Sequence, residues 1–174
     1  QIDITYEWDK TTIPYKWVKS SKSEYNFDAS GNMTSMILYE WDKTIIPNNW
    51  VGTTKTVNTY VNGNNTLSTS YTWDGSQWVQ LSKKESSFNP NGKNTVDITS
   101  MWFMIQWQNV SKKEYKYDAS GKDTLDIDYD WDMLNSKWAG YDKTRYTYNA
   151  TDKIATETTF SWDKTLPVPA WVKS

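Results

Sequence analysis

Apolar and polar residues alternate along this chain in six similar stretches. In the first, residues 2–8, every second residue is isoleucine, tyrosine or tryptophan, and the residues between them are Asp, Thr and Glu. A period of two residues is typical of a β-strand with one packed face, and aromatic and β-branched residues suit a pleated surface. No stretch shows the 3.6-residue period of an amphipathic helix. We therefore predict an all-β chain.

Every tryptophan belongs to one of six sequential pairs. From the second Trp of one pair to the first Trp of the next, the spacing is 24, 23, 24, 24 and 24 residues, whereas inside a pair it varies. A long constant segment that alternates with a short variable one is typical of a repeat array. We predict that each pair flanks a β-hairpin, with the two indoles facing each other across the strands. The pairs are Trp8/Trp17, Trp41/Trp50, Trp73/Trp78, Trp102/Trp107, Trp131/Trp138 and Trp162/Trp171.

A second kind of turn separates the hairpins. Residues 28–31 and 118–121 both read Asp-Ala-Ser-Gly, residues 89–92 read Asn-Pro-Asn-Gly, and Asp152 replaces the glycine in the fifth turn. Asp or Asn at the first position and a residue that tolerates positive φ at the fourth predict a type I turn. The fold class that follows is an antiparallel up-and-down meander of about 11–12 strands, built from two-strand repeats of about 31 residues. Either an open, curled sheet or a closed, barrel-like sheet fits this pattern.

No linker divides the chain, so we predict a single domain over residues 1–174. The six repeats span about residues 1–24, 25–57, 58–86, 87–114, 115–145 and 146–174. The last return strand has only four residues, beginning with its Trp. An uncovered strand edge invites pairing, so we expect either that the native array continues or that another chain covers the edge. A homo-oligomer could form through a sheet edge or through the aromatic face.

A lysine lies five residues after the second Trp of the first five pairs. In three repeats an aspartate lies five residues before the first Trp. If the indoles oppose each other and the strands are regular, each lysine faces that aspartate across the hairpin, as oppositely charged neighbours often do. The predicted pairs are Lys22 with Asp3, Lys112 with Asp97, and Lys143 with Asp126.

Composition narrows the function. The 12 Trp, 12 Tyr and 4 Phe, with a mean hydropathy of −0.83, favour a thin sheet held by aromatic clusters. The net charge is −2 and Arg145 is the single arginine, whereas nucleic-acid-binding proteins are usually basic; we expect no nucleic acid partner. The lack of Cys and His excludes disulfides and imidazole or thiolate chemistry. We expect no cofactor, no metal and no membrane span.

An acidic row occupies residues 126–132, where every second residue is Asp. Alternate carboxylates could hold calcium, but calcium sites usually draw their ligands from a compact loop. We therefore interpret the row as a solvated face that Lys143 partly neutralises.

The turn from Tyr115 to Lys122 reads Tyr-x-Tyr-Asp-x-x-Gly-Lys and resembles the tyrosine-aspartate (YD, or RHS-type) repeats of bacterial cell-surface and secreted proteins. With its Trp-Asp elements the chain is more similar still to short aromatic-repeat proteins secreted by Bacteroidetes, many of them uncharacterised. The resemblance implies a secreted or cell-envelope bacterial protein from which a signal peptide has been removed. It carries no catalytic residue over, and Phe103 departs from it by replacing the Asp that follows the first Trp.

Two functions remain open. The first is a non-catalytic scaffold or adhesive surface whose partner is a glycan or another envelope protein. The alternative is a carbohydrate-binding module in which exposed indoles receive sugar rings. We do not expect an enzyme, because an active site needs one singular pocket and repeats supply copies. The candidate ligand-binding residues are Trp41, Trp50, Trp73, Trp78, Asp42 and Asp74.

Overall fold

The computed structural model contains twelve β-strands and describes residues 1–11, 13–44, 49–166 and 168–174. Parts of three predicted connections, at residues 12, 45–48 and 167, lie outside the described residues. The strands are β1 Ile2–Asp9, β2 Lys16–Phe27, β3 Met33–Asp42, β4 Asn49–Val61, β5 Asn64–Trp73, β6 Trp78–Phe88, β7 Asn94–Phe103, β8 Gln106–Tyr117, β9 Asp123–Asp132, β10 Lys137–Tyr148, β11 Ile154–Asp163 and β12 Ala170–Lys173.

The strands form one antiparallel sheet in which their spatial order is their order in the sequence. This confirms the all-β up-and-down meander. Of the two predicted alternatives, the sheet is the open one, with β1 and β12 at its two ends. By its contacts the chain divides into two compact units, Gln1–Lys83 (unit 1) and Lys84–Ser174 (unit 2). The division falls inside β6, and the single domain stays a prediction.

The two indoles of each Trp pair pack edge to face, as aromatic rings prefer. In unit 1 the ring centroids of the three pairs are 5.3, 5.0 and 5.3 Å apart. In unit 2 the distances are 5.1, 4.8 and 5.1 Å, with interplanar angles of 69–71°. The predicted cross-strand pairing is therefore confirmed. Because side chains alternate between faces along a strand, the three pairs of each unit share one face, which we call the Trp face.

The predicted lysine–aspartate register is wrong. In the hairpins β1–β2, β3–β4, β7–β8 and β9–β10, the register shifts by one residue three positions after the second Trp. The extra residue forms a β-bulge, which leaves two residues of one strand opposite one residue of the other. The bulged residues are Ser20, Thr53, Val110 and Tyr141.

Beyond each bulge the lysine turns toward the Trp face, because a slip of one residue moves every following side chain to the other face. In all four hairpins the lysine lies opposite an isoleucine rather than an aspartate. Asp3 faces Ser23, Asp97 faces Lys113 and Asp126 faces Thr144. The pairs are Lys22–Ile4, Lys55–Ile37, Lys112–Ile98 and Lys143–Ile127.

The turns between hairpins agree with the prediction. At Asp118 one carboxylate oxygen, Oδ1, accepts hydrogen bonds from the backbone nitrogens of Ser120 and Lys122, each at 2.9 Å. Gly121 closes this turn at φ 81°, and Asp152 takes the same role at φ 63°. Such turns depend on short-range side-chain bonds to the backbone, which explains why they could be predicted from sequence.

No hydrophobic residue among those that the structure describes is buried. Ser100 on β7 is the most enclosed side chain, at 1% exposure, and its hydroxyl lies 3.1 Å from Oδ1 of Asn109. Ten tryptophans are half-buried, while Trp8 and Trp17 are exposed. The sheet therefore holds its shape through partly covered aromatic pairs, as the composition indicated. The described residues contain no helix long and apolar enough to cross a membrane.

Candidate functional site

Trp41 and Trp50 lie together on the Trp face of unit 1, where β3 ends and β4 begins. The Lys19 ammonium lies 4.4 Å from the Trp41 ring centroid, and the Lys22 ammonium lies 5.6 Å from that of Trp50. Cations over indole faces gain about 0.5–1 kcal/mol at exposed sites. The pair is half-buried and the ammonium groups of Lys19 and Lys22 lie beside it, so it can accept an apolar ring with polar substituents.

Trp73 and Trp78 form the neighbouring pair, and Trp78 packs against the backbone of β4. A Cβ atom placed on Gly52 would come within 2.7 Å of Cζ2 of Trp78, so only glycine allows the indole to lie this close. Both indoles are half-buried. The four candidate tryptophans thus form two adjacent pairs on one face, with one ring fixed by direct contact with the sheet.

Asp42 and Asp74 lie at the same edge, but their carboxylates bind the connection that follows. Oδ1 of Asp42 accepts hydrogen bonds from the backbone nitrogen and the hydroxyl of Thr44, each at 2.7 Å. Oδ1 of Asp74 accepts from the backbone nitrogens of Ser76 and Gln77 at 2.8 and 2.9 Å. The backbone bonds from Gln77 and Ser76 hold the pKa of Asp74 below its usual value. These aspartates therefore hold the hairpin connection in shape.

A lysine, a glutamate and a tyrosine form a cluster that the sequence reasoning missed. Lys22 binds Glu24 at 2.7 Å, Tyr39 donates its hydroxyl to the other Glu24 oxygen at 3.0 Å, and the ammonium lies 4.0 Å from the Tyr39 ring centroid. The Lys22 hydrogen bond lowers the pKa of Glu24, although burial opposes it. Burial and the bond to Glu24 raise the pKa of Tyr39 to about 12.

The same cluster recurs in unit 2. Lys112 binds Glu114 at 2.7 Å and lies 4.1 Å from the Tyr129 ring centroid, and Tyr129 donates to Glu114 at 3.2 Å. Burial, together with the charge of Glu114, raises the pKa of Tyr129 to about 12. The signal in the sequence is a Lys-x-Glu triplet with a tyrosine two residues before the next Trp. The sequence alone does not show that a bulge turns the lysine toward the Trp face.

The positions around Lys143 depart from this cluster at two points at once. Arg145 stands where the first and fourth repeats have Glu24 and Glu114, and Phe160 stands where the two clusters have Tyr39 and Tyr129. The Lys143 ammonium lies 4.3 Å from the Phe160 centroid and 4.8 Å from that of Trp171, and Lys143 is only 9% exposed. Burial and the nearby Arg145 charge lower the pKa of Lys143.

The acidic row lies on the face of unit 2 opposite the Trp pairs. Lys113 binds Asp128 there at 2.9 Å, whereas Lys143 is on the Trp face, so the prediction that Lys143 neutralises the row is wrong. Burial and the charge of Asp123 raise the pKa of Asp126, against the hydrogen bond from Tyr146. In the described part of the chain no three acidic side chains are grouped so that they could hold a metal.

Exposed apolar side chains cluster at the hairpin connections of unit 2, and the sequence reasoning did not identify them. A shallow depression of about 470 Å³ is lined by Met101, Phe103, Val110 and Met133, with the polar Asp130 beside them. Met104, Ile105 and Leu134 are 80%, 87% and 96% exposed. The signal was the run Phe103-Met104-Ile105, which begins at the position where the other five repeats have Asp.

Comparisons with known proteins give the fold but no activity. A protein of unknown function from Bacteroides fragilis NCTC 9343 is 11% identical, with a TM-score of 0.59, over 72% of this chain and 91% of its own. A DUF3836 family protein from Bacteroides vulgatus ATCC 8482 is 19% identical over 50% of this chain and 89% of its own, with a TM-score of 0.45. One from Parabacteroides distasonis ATCC 8503 is 18% identical over 52% and 92%, with a TM-score of 0.35.

No protein-family model matches the chain, and no curated protein does. The structural neighbours come from Bacteroides and Parabacteroides, and the most similar of these three by TM-score has no known function. This agrees with the likeness to uncharacterised proteins of Bacteroidetes. The YD (RHS-type) part of the resemblance receives no support.

Proposed function

We propose that this chain is a non-catalytic interaction surface, secreted or displayed on a bacterial cell envelope, that binds another macromolecule through its sheet. The observation that carries this proposal is that no hydrophobic residue in the described ranges is buried, although the chain is rich in aromatic residues. A folded chain that keeps its large apolar side chains at the surface has them available for a partner.

The exposed apolar cluster of unit 2 supports an adhesive role. Contiguous exposed apolar side chains mark interaction sites in soluble proteins, and methionine adapts its shape to a partner. A surface built of repeats also offers several copies of one contact, so binding gains from multivalency. No residue in this proposal has a catalytic role.

The second candidate is a carbohydrate-binding module, which the two Trp pairs of unit 1 favour. Trp41, Trp50, Trp73 and Trp78 present half-exposed rings on one face, and lysines lie beside the first pair. Flat aromatic rings with a few polar groups around them are the usual lining of ligand sites. Asp42 and Asp74 then support the site by holding the connections.

The two candidates are tested by matched variants in one binding assay. We would measure the adhesion of the purified protein to immobilised envelope proteins and to polysaccharides. The Phe103→Ser/Leu134→Ser double variant removes apolar surface, and the Trp41→Ala/Trp73→Ala variant removes sugar platforms. Acrylamide quenching of Trp fluorescence reports how exposed the indoles are in solution.

We expect loss of protein adhesion with Phe103→Ser/Leu134→Ser and unchanged adhesion with a Thr156→Ser control. Loss of polysaccharide binding only with Trp41→Ala/Trp73→Ala would favour the carbohydrate-binding module instead. Indoles that acrylamide does not quench, with no adhesion to any surface, would contradict both candidates.

A further inference from the structure

The face of unit 2 around Phe160 differs from the equivalent positions of two other repeats in its charge. In those repeats each Trp-face lysine binds a glutamate two residues later, and a tyrosine hydroxyl bonds the same carboxylate. Around Lys143, both the glutamate and the hydroxyl are absent, because the residues are Arg145 and Phe160. The two changes together remove the carboxylate and one of its hydrogen-bond donors from the same place.

Lys143 is therefore an enclosed cation without an internal counter-ion. Among the residues that the structure describes, no ion pair joins a carboxylate to Lys143, and its ammonium lies 4.3 and 4.8 Å from the ring centroids of Phe160 and Trp171. The Arg145 guanidinium carbon lies 5.6 Å from the Phe160 centroid, so a second cation faces the same ring. Burying a charge is costly unless it is paired and hydrogen-bonded, and rings satisfy only part of that requirement.

A third cation borders the site. Lys173 of β12 lies directly across from Phe160 in the register, so the two side chains share a face. Glu114 is the nearest acidic side chain of this face along the register, since Glu114 and Lys143 both pair with Ile127 from opposite sides of β9. Its carboxylate is already bound by Lys112 and Tyr129. The surroundings of Phe160 are thus cationic.

We propose that this cationic site binds the carboxylate of a uronic-acid-containing saccharide, with Lys143 and Arg145 as its ion pairs and the rings of Phe160 and Trp171 as the platform for the sugar. The external carboxylate takes the place that the Glu24 and Glu114 carboxylates hold in the other repeats. Arg145 adds a planar pair of donors that suits a carboxylate. This inference rests on the carbohydrate-binding candidate above and names its ligand class.

A saccharide fits this surface better than an acidic peptide does. The site lies on the face of the sheet, and Lys143 and Phe160 are both paired in the ladder with the strands on either side of them. Peptides gain affinity mainly by adding a strand to an exposed edge. A ligand on the face is recognised by side chains and ring stacking alone, which a sugar acid provides.

The test uses tetragalacturonate as the probe, with its fully methyl-esterified form as the uncharged control and tetraglutamate as the peptide control. Binding to the whole chain is measured by isothermal titration and by the change in Trp emission. We expect tetragalacturonate to bind with one site per chain, more weakly as salt increases, and more tightly than either control. Exposed charges on the protein and the ligand are screened by salt, so the salt dependence reports the ion pairs.

The decisive variant is Arg145→Glu/Phe160→Tyr, which restores the lysine–glutamate–tyrosine cluster of the other repeats. We expect this variant to be at least as thermostable as the wild type. We expect it to bind tetragalacturonate at least about tenfold more weakly, because losing a hydrogen bond to a charged group lowers affinity by about this factor. The exposed Lys153→Glu variant makes the same change of net charge at the far end of β11, and we expect it to bind as the wild type does.

The reciprocal variant keeps the test informative if the first one folds poorly. Glu114→Arg/Tyr129→Phe copies the Phe160 site around Lys112, and we expect the number of bound probes per chain to rise from one to two. A stoichiometry that stays at one with Glu114→Arg/Tyr129→Phe contradicts the assignment.

Three other results overturn the inference. They are no binding of tetragalacturonate to the wild type, equal binding of the methyl ester, and unchanged binding by Arg145→Glu/Phe160→Tyr. Equal or tighter binding of tetraglutamate would show that the site reads an acidic peptide instead. If neutral saccharides still bind and Trp41→Ala/Trp73→Ala abolishes that binding, the carbohydrate-binding candidate survives the failure of this site. If no saccharide binds at all, both fail.

Discussion

At the scale of single residues, glycine controls how closely an indole can approach the sheet. A Cβ atom on Gly140 would lie 2.7 Å from Cδ2 of Trp162 and 2.8 Å from Cζ2 of Trp171. Both rings therefore rest directly on the backbone of β10. Gly140 lies two residues after Trp138, and the equivalent residue two positions after Trp17 is Lys19. There the contact is a different one, because the Lys19 ammonium lies over the Trp41 ring.

Gly140→Ala should destabilise the protein by roughly 1–3 kcal/mol, the usual cost of overpacking a tight contact. Denaturant unfolding of the variant and the wild type measures this difference. The direction is informative, because Gly→Ala without a clash usually stabilises a chain by reducing the freedom of its unfolded state. An unchanged or raised free energy of unfolding would therefore show that the two indoles do not contact Gly140.

The partly buried tyrosines of the lysine–glutamate–tyrosine clusters should ionise late. The pKa of both Tyr39 and Tyr129 is raised to about 12, so the folded protein holds these protons more firmly than the unfolded chain does. Their stabilising contribution is complete below the unfolded pKa of about 10 and is lost as pH rises toward 12. Tyrosinate absorbance should therefore show a late step that Tyr39→Phe/Tyr129→Phe removes. A titration without that step in the wild type would contradict the clusters.

At the scale of elements, the hairpins β1–β2, β3–β4, β7–β8 and β9–β10 are each defined at three points: a Trp pair, a bulge and the turn that follows. The Trp pair and the turn act between residues close in sequence. The bulge acts at a distance, since it decides which face every later residue of the return strand occupies. Lys22 and Lys112 share a face with Trp17 and Trp107 only because Ser20 and Val110 are extra residues.

The turn at Asp118 should make stability depend on acid pH. Hydrogen bonds from Ser120 and Lys122 hold the pKa of Asp118 below its usual value. A depressed folded pKa contributes stability above the unfolded pKa, near 3.9, and this contribution is lost as pH falls through the folded pKa. We expect Asp118→Ala to lower the melting temperature at neutral pH and to weaken its fall in acid.

Asp118→Asn is the matched control, because Asn89 and Asn149 accept the same backbone hydrogen bonds in the other turns. It should keep the melting temperature of the wild type at neutral pH more closely than Asp118→Ala does, and it should lose the part of the acid dependence that belongs to this carboxylate. Equal melting temperatures for the alanine and asparagine variants would show that the side-chain acceptor does not hold the turn.

At the scale of the whole molecule, the sheet has no hydrophobic residue that is buried among those described. The heat capacity of unfolding rises with the apolar surface that unfolding exposes. A globular chain of this length would show about 2.1–2.6 kcal/mol/K. We expect calorimetry to give a smaller value, because more of the apolar surface stays in contact with water than in a chain with a buried core.

A heat-capacity change in the ordinary range would mean that the apolar side chains are covered in solution. Sedimentation at several protein concentrations then separates self-association from a monomer, since association makes the covered area depend on concentration. A concentration-independent monomer with an ordinary heat-capacity change would contradict the thin sheet.

Part of the candidate site could be predicted from sequence. Trp41, Trp50, Trp73 and Trp78 were identified correctly as two cross-strand pairs, because their spacing reports local hairpins. Asp42 and Asp74 were identified only by position, and their hydrogen bonds to the connections were not foreseen. The cationic surroundings of Phe160 were missed, although Arg145 was noted as the single arginine. The residues that form this site come from three strands, β10, β11 and β12.

The amino-acid sequence by itself determined the strands, the Trp pairs and the turns, because a period of two and short-range hydrogen bonds act within one hairpin. Only the tertiary structure decided where the bulges fall and which face each lysine occupies. A bulge changes no residue type or turn signal, yet it moves Lys143 from the expected partner Asp126 to the rings of Phe160 and Trp171. The tertiary structure also decided how exposed the apolar side chains are. The same residues can be buried beneath a second layer or left at the surface of a single sheet.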